Sequence, residues 1–310
     1  MQVFHWPFGR LSLRSGRRGL NSNYFDSLAE NRVAKVGLLE AGSVVEDDPL
    51  ITHPKEIGMA AGNPKFDWCF KSEPQEHTGQ RSIQVPRGKG LGGTTVLNYL
   101  AWDRASKEEY DSWKHFSDPE GAWDWDSLLP YFKKSENASE TRTASDPYTS
   151  MSLPDAEIIR EGIPSEDTSG YDGPIKTSYN TLYTDVMAPA IKAFNSIGIP
   201  TNVNGYGGKT DGVKNLKRTV DKDSGMRISS ASAYLSRAFD NLYVLTNAMV
   251  TKLVFETALD AQGNHIARSA EFSVNGENYT ASVKKEVILC CGAVQTPQVL
   301  ELSGAPSNVG

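Results

Sequence analysis

The run Val33-Ala-Lys-Val-Gly-Leu-Leu-Glu40 is short and mostly apolar, ends in an acid, and is followed by Ala41-Gly42. Such a run reads as a buried parallel strand with a carboxylate at its C-terminal end. Open α/β sheets bind ligands at that end of their strands. Residues 43–80 mix Pro, Gly, Asp and His without a period and read as loop. A helix is predicted over Asp126–Asn137, with Asp124 or Asp126 as its cap and Pro130 near its first turn. A second is predicted over Thr184–Ile197, where Val186, Ala190, Phe194 and Ile197 share one face, Thr184 or Asp185 can cap and Gly198 stops it. Asn241–Phe255 is rich in Val, Leu and Thr and suits one or two strands. Asn275-Gly276, between residues 270–274 and 278–283, predicts a hairpin with a type I′ turn. Glu286–Cys291 reads as another buried strand running into Gly292, after which Thr296-Pro297 opens a helix that Gly304 closes.

Composition narrows the classes. The chain has 310 residues, with 38% hydrophobic and 23% charged, as in a soluble globular protein. With 32 Lys+Arg against 38 Asp+Glu the net charge is -6, so nothing electrostatic favours nucleic acid or an anionic membrane. No stretch approaches the roughly eighteen apolar residues of a membrane span. Three cysteines make no disulfide framework, and the adjacent Cys290 and Cys291 read as buried, inert thiols. Residues 1–25 carry Arg10, Arg14, Arg17 and Arg18 before the first acid, Asp26, and lack the apolar core of a secretory signal. They read as an atypical terminus, disordered or misassembled; a mitochondrial leader is the other reading. Asn137 and Asn278 stand in N-x-[ST] sequons. No Cys/His cluster has metal-ligand spacing, and neither G-x-S-x-G nor H-E-x-x-H occurs.

The densest chemistry lies in Pro86-Arg-Gly-Lys-Gly-Leu-Gly-Gly-Thr-Thr-Val-Leu-Asn-Tyr-Leu-Ala101. Gly88-x-Gly90-x-x-Gly93 matches the dinucleotide fingerprint in letters only. The fingerprint follows an apolar strand and needs an acid about twenty residues later on a second strand. Here Pro86-Arg87 precede it, and Asp103 and Lys107-Glu108-Glu109 follow in the wrong context. The longer string says more: glycines allow close backbone approach to a ligand. Thr94, Thr95 and Asn98 add hydrogen-bonding groups at one helix N-terminus, where unpaired N–H groups and the helix dipole favour phosphate.

Residues 87–104 resemble the first signature of the glucose–methanol–choline (GMC) oxidoreductase family, and residues 286–304 resemble its second. Leu38-Leu-Glu-Ala-Gly42, Trp68–Gln75 and Arg227–Leu235 are similar to further family segments, in the family's order. The resemblance implies an α/β, Rossmann-like FAD-binding domain, incomplete here, with part of an α+β substrate domain. It implies residues 26–140 as FAD-binding region, 141–215 as partial substrate or cap region, and 216–310 as the continued FAD-binding region. It implies FAD as cofactor. Glu40, beside Ala41, would hold the ribose hydroxyls. Leu91, Gly92, Gly93, Thr94 and Thr95 would lie along the pyrophosphate and flavin. Asn98, Tyr99, Leu100 and Ala101 would touch the flavin side, and Val250 would pair its backbone with the adenine. The implied reaction oxidises a small-molecule alcohol to an aldehyde or ketone by hydride transfer, while a histidine takes the hydroxyl proton.

Two departures accompany the resemblance. The family's GxGxxG is expected before Glu40, where Arg10–Asn21 offers only Gly16 and Gly19, and Ser27–Asn31 resembles the end of the family's first helix. The family's catalytic histidine lies beyond the second signature, and none of His5, His53, His77, His115 and His265 matches it, so no catalytic residue is assigned. A truncated, non-catalytic remnant that at most binds a nucleotide is therefore the alternative, and a non-redox flavoprotein relative a third reading.

Overall fold

The computed structural model describes residues 2–6, 35–116, 123–139, 168–180, 183–235 and 240–305. Arg10–Asn21, Ser27–Asn31 and residues 140–167 lie outside them. The chain divides into two compact units, residues 1–98 with 229–310, and residues 99–228.

The first unit is built on a four-stranded sheet. Its strands are β1 (Gln2–Trp6), β2 (Lys35–Leu39), β9 (Leu242–Leu245) and β13 (Val287–Leu289), in the order β13-β1-β2-β9. β2 pairs parallel with β9 from Val36↔Leu242 to Leu39↔Leu245. β1 runs antiparallel to both its neighbours, with Gln2 opposite Leu39 on one side and Leu289 on the other. The terminus read as disordered or misassembled thus contributes a strand, Gln2–Trp6; Val3, Phe4 and Trp6 are residue types that favour one. After the exposed Lys35, β2 is apolar because both its faces are covered. Val36 and Leu38 pack with Leu91 and Ala231, and Leu39 packs with Ala248, Val250 and Leu253. That places the predicted strand, and the acid ending it, in the core.

A second sheet, β10 (Met249–Phe255), β11 (Ala267–Val274) and β12 (Glu277–Ser282), is an antiparallel meander. Its second turn is the predicted one: Asn275 has φ 52° and Gly276 φ 87°, both left-handed as a type I′ turn requires. A Cβ at Gly276 would meet nothing within 4 Å. Gly276→Ala is therefore expected to cost only the conformational penalty, about 1 kcal/mol, read as a lower urea midpoint with an unchanged slope. The loop expected over residues 43–80 holds only short elements, α1 (Pro49–Thr52) and β3 (Phe70–Lys71), the latter paired with β4 (Gln84–Val85). The helix after β13, α5 (Gly292–Leu302), starts at Gly292 rather than at Thr296-Pro297, so Pro297 sits inside it.

The second unit carries β5 (Ala101–Trp102) paired with β8 (Lys217–Arg218), and β6 (Glu136–Ala138) paired with β7 (Ile175–Thr177). α2 (Lys107–Asp111) opens with a Ser106/Glu109 capping box. α3 (Trp125–Ser135) is capped by Asp124, whose carboxylate accepts the Ser127 N–H at 2.9 Å. It ends two residues short of the predicted helix, because Glu136 turns into extended backbone and begins β6. α4 (Met187–Ser196) corrects the predicted face. Ala188 and Ile191 are buried, while Val186, Phe194 and Ile197 are exposed, and no side chain caps the helix. The apolar stripe was real in period, but period does not say which side meets protein.

Glu136, fully buried, organises this unit. It binds Arg104 Nη2 at 3.0 Å and Lys217 Nζ at 2.8 Å, and accepts from Thr177 Oγ1 at 3.0 Å. Burial pushes the Arg104 guanidinium and the Lys217 ammonium below their ordinary values, and the Glu136 charge pulls both back up. Among the described residues no helix is long and apolar enough to cross a membrane.

Candidate cofactor site

The end of β2 is spliced into the start of β10. Glu40 N–H donates to Leu245 O at 2.9 Å, and Glu40 O accepts from Ala248 N at 2.9 Å. Asn247, left-handed at φ 55°, donates its N–H to Gly42 O at 2.9 Å. The Glu40 side chain is 3% exposed, and its Oε1 accepts the Gly42 N–H at 2.8 Å. A buried carboxylate bonded to backbone at a strand end is held in one rotamer, ready to accept hydroxyls from a ligand. Ala41 is half-buried beside it. Two residues beyond Ala248, Val250 packs its side chain with Leu39 in the core. The ladder to β11 shifts register between Val250 and Lys252, a bulge that interrupts regular pairing at this point.

The glycine segment lies against this strand end. Leu91 N–H donates to Ser43 O at 2.9 Å. The approach is so close that a Cβ on Gly42 would stand 2.3 Å from Gly90 N, and one on Gly88 2.2 Å from Gly93 O. These glycines let backbone meet backbone. Gly92 and Gly93 are left-handed, at φ 105° and 58°. Residues 93–96 then form a single 3₁₀ turn rather than the expected α-helix. The match to GxGxxG follows the two-residue strand β4 of an antiparallel hairpin, so its rejection as a dinucleotide fingerprint stands on structure as well. Thr94 is exposed, and its Oγ1 accepts the Gly88 N–H at 3.2 Å. Asn98 is half-buried and donates its N–H to Thr94 O at 3.0 Å.

The structure thus brings Glu40, Ala41, Leu91, Gly92, Gly93, Thr94, Thr95, Asn98 and Val250 into one unit. Tyr99, Leu100 and Ala101 belong to the other. There Leu100 is buried and left-handed at φ 64°, and its carbonyl accepts Thr219 N–H at 2.9 Å. Arg218 Nη1 donates to Tyr99 O at 3.1 Å. Tyr99 itself is 66% exposed. A buried leucine in that conformation is strained, and such strain collects at functional sites.

Two supporting carboxylates escaped sequence reasoning. Asp67 is 2% exposed and accepts N–H groups from Gly62 at 2.7 Å, Cys69 at 3.0 Å and Arg87 at 2.9 Å. Burial works against its ionisation, but the three N–H groups outweigh it and hold the carboxyl below its usual range. It fastens the start of the glycine segment, and nothing in a lone loop aspartate announces that. Glu46 accepts from Ser229 Oγ at 3.0 Å; burial raises its pKa, and the Ser229 bond partly offsets this. Cys290 and Cys291 are half-buried rather than fully buried, and they face different clusters. Burial pushes the Cys290 thiol up to about 11, which keeps it protonated and unreactive at neutral pH. Among the described residues no group of three or more His, Cys, Asp or Glu could hold a metal ion.

A family model described as GMC oxidoreductase matches residues 33–310. The chain belongs to the GMC oxidoreductase family. A dehydrogenase of Armillaria gallica is 32% identical over 289 residues, covering 89% of this chain and 43% of that protein. An oxygen-dependent choline dehydrogenase of Staphylococcus xylosus is 33% identical over 288 residues, covering 89% of this chain and 44% of its own length. An FAD-dependent oxidoreductase from Chaetomium thermophilum has the same fold, with TM-score 0.77, 25% identity and coverage of 92% of this chain and 46% of that one. The chain therefore spans less than half the length of the relatives it matches. Within this GMC oxidoreductase the fold is the family's α/β, Rossmann-like FAD-binding domain, and the cofactor that accompanies membership is FAD. The residues fit such a group: Glu40 is a fixed, buried acceptor for hydroxyls. The junction of Gly42 with Gly88–Gly93 leaves no room for a Cβ on Gly42 or Gly88.

Proposed function

We propose that this chain is the FAD-binding portion of an oxidoreductase acting on CH–OH donors, oxidising a small-molecule alcohol to an aldehyde or ketone. The observation that carries the reading is the convergence of Glu40, Gly42, Leu91 and Ala248 at one strand end. Glu40, with Ala41 beside it, would hold the ribose hydroxyls, and the backbone at Val250 would meet the adenine. Leu91, Gly92, Gly93, Thr94 and Thr95 would line the pyrophosphate and flavin, and Asn98, Tyr99, Leu100 and Ala101 would supply the flavin side. FAD, when bound, supplies the hydride acceptor for the alcohol carbon. The hydroxyl proton needs a separate base, and none of this chain's histidines is given that role. His77, for instance, is exposed in a surface turn.

The purified chain is expected to take up FAD and turn yellow. Glu40→Ala should weaken that uptake by about 10- to 100-fold, the usual loss for hydrogen bonds to a charged group, measured by flavin fluorescence titration. A chain that stays colourless in excess FAD would overturn the reading. Anaerobic mixing with simple alcohols tests the donor class: bleaching of bound flavin supports it. A flavin that binds but that no alcohol reduces would support the non-catalytic or the non-redox alternative instead.

A further inference from the structure

We propose that Thr95 and Ser230 form a hydroxyl lock that holds Gly92 in its left-handed conformation and so positions the glycine loop for FAD. The inference rests on the FAD reading above; it makes Ser230 a positioning residue that touches the loop rather than the cofactor, and gives Thr95, already placed along the cofactor, a second role through its hydroxyl bond to the loop.

Gly92 has φ 105°, and a glycine leaves such a conformation at little steric cost unless something retains it. The 3₁₀ bond that would normally do so is long, with Thr95 N 3.4 Å from Gly92 O. Two hydroxyls take its place. Thr95 Oγ1 donates to Gly92 O at 2.6 Å and Ser230 Oγ donates to the same carbonyl at 3.0 Å. Ser230 N–H donates to Thr95 Oγ1 at 2.9 Å, and the two hydroxyl oxygens lie 3.1 Å apart, closing a ring. Both lone-pair directions of one carbonyl are thereby engaged in a site where Gly92 is buried and Ser230 is 7% exposed. Hydrogen bonds in such surroundings are costly to leave unmade.

Ser230 is itself anchored. Neighbouring Ser229 donates its hydroxyl to Glu46 at 3.0 Å, and exchanges bonds with Ser232: Ser229 N–H to Ser232 Oγ at 2.9 Å, and Ser232 N–H to Ser229 Oγ at 3.0 Å. Glu46 stands on the loop that leaves Glu40. The serine pair therefore ties the two limbs of the cofactor site, the strand-end loop through Ser229 and the glycine loop through Ser230. Ala231 completes the packing, since a Cβ on Gly92 would meet its Cβ at 3.5 Å and Val96 Cγ1 at 3.2 Å.

The test is FAD titration together with hydrogen exchange of the FAD-free chain, for wild type, Ser230→Ala, Thr95→Val and Thr95→Ser. Ser230→Ala is expected to raise the FAD Kd about fivefold, as for one net hydrogen bond, and Thr95→Val, which also removes the acceptor of the Ser230 N–H, by at least as much. Thr95→Ser, which keeps the hydroxyl, should stay within about twofold of wild type. Residues 88–98 should lose exchange protection in Ser230→Ala and Thr95→Val and keep it in Thr95→Ser, while residues 267–282 stay unchanged in all three. Protection of 88–98 that does not differ among the variants overturns the lock, as does equal FAD affinity across them. A wild-type chain that takes up no FAD sinks the functional reading, and hydrogen exchange then still decides the lock alone.

Discussion

Replacing Glu136 with alanine is expected to destabilise the protein by about 3–5 kcal/mol, because it strands two buried cations. The side chains of Arg104 and Lys217 are 3% and 4% exposed, and that of Glu136 is 0% exposed. The glutamate also accepts from Thr177 Oγ1 and from Gly170 N–H at 3.3 Å. It therefore connects the segment after β5 with β6, β7 and β8, and its loss loosens the whole of the second unit. Tyr206 belongs to the same cluster. Its hydroxyl donates to Trp102 O at 3.1 Å and accepts Lys217 N–H at 2.5 Å, and burial pushes its pKa well above the ordinary value. Charge balance makes the argument testable. Lys217→Met loses the bonds from Nζ to Glu136 Oε1 at 2.8 Å and to Ser169 Oγ at 2.6 Å, but it leaves Arg104 paired with Glu136, one cation facing one anion, so no buried charge is stranded. It should therefore cost only about 1–2 kcal/mol. Urea unfolding followed by tryptophan fluorescence gives both numbers. Lys217→Met proving as costly as Glu136→Ala would show that the network acts through packing rather than through charge.

What could be read in the sequence was local. The run ending in Glu40 announces a doubly covered strand because both its faces are apolar, and Asn275-Gly276 announces a hairpin because few other residue pairs accept two left-handed positions in succession. The glycine segment reads as a close-approach loop because glycine has little other use in such density. What could not be read depends on partners far along the chain. Glu136 falls in the last turn of the predicted helix; its meaning comes from Lys217, 81 residues away. Ser230 reaches Thr95 across 135 residues, and a serine in a serine-rich run carries no sign of that. In α4 the period was legible and the direction was not, since the second depends on what the helix packs against. The strand formed by Gln2–Trp6 was obscured by the arginines that follow it, although Val3, Phe4 and Trp6 carry the propensity.

A single methyl group at residue 42 is expected to abolish most FAD uptake. A Cβ on Gly42 would stand 2.3 Å from Gly90 N, 2.5 Å from Lys89 C and 2.6 Å from Gly90 Cα. Every one of these is backbone, so no side chain can swing aside, and carbon–carbon contacts are comfortable only near about 3.5–4.0 Å. Either the end of β2 or the glycine loop must retreat by on the order of 1 Å. The bond that joins them, Leu91 N–H to Ser43 O, and the bond that holds the carboxylate within the strand end, Gly42 N–H to Glu40 Oε1, are the ones that fix the proposed ribose and pyrophosphate positions. Gly42→Ala should therefore cost about 1–3 kcal/mol in stability, as overpacking does, and weaken FAD by more than about tenfold, or 1.4 kcal/mol. Gly276→Ala is the matched control: it adds the same methyl in the same unit, in open space, and should leave FAD affinity unchanged. Equal FAD affinity in Gly42→Ala and wild type would mean that cofactor binding does not use the junction of strand end and glycine loop. The proposed placement of FAD along Glu40 and Leu91–Thr95 would then be wrong, whatever the chain's family.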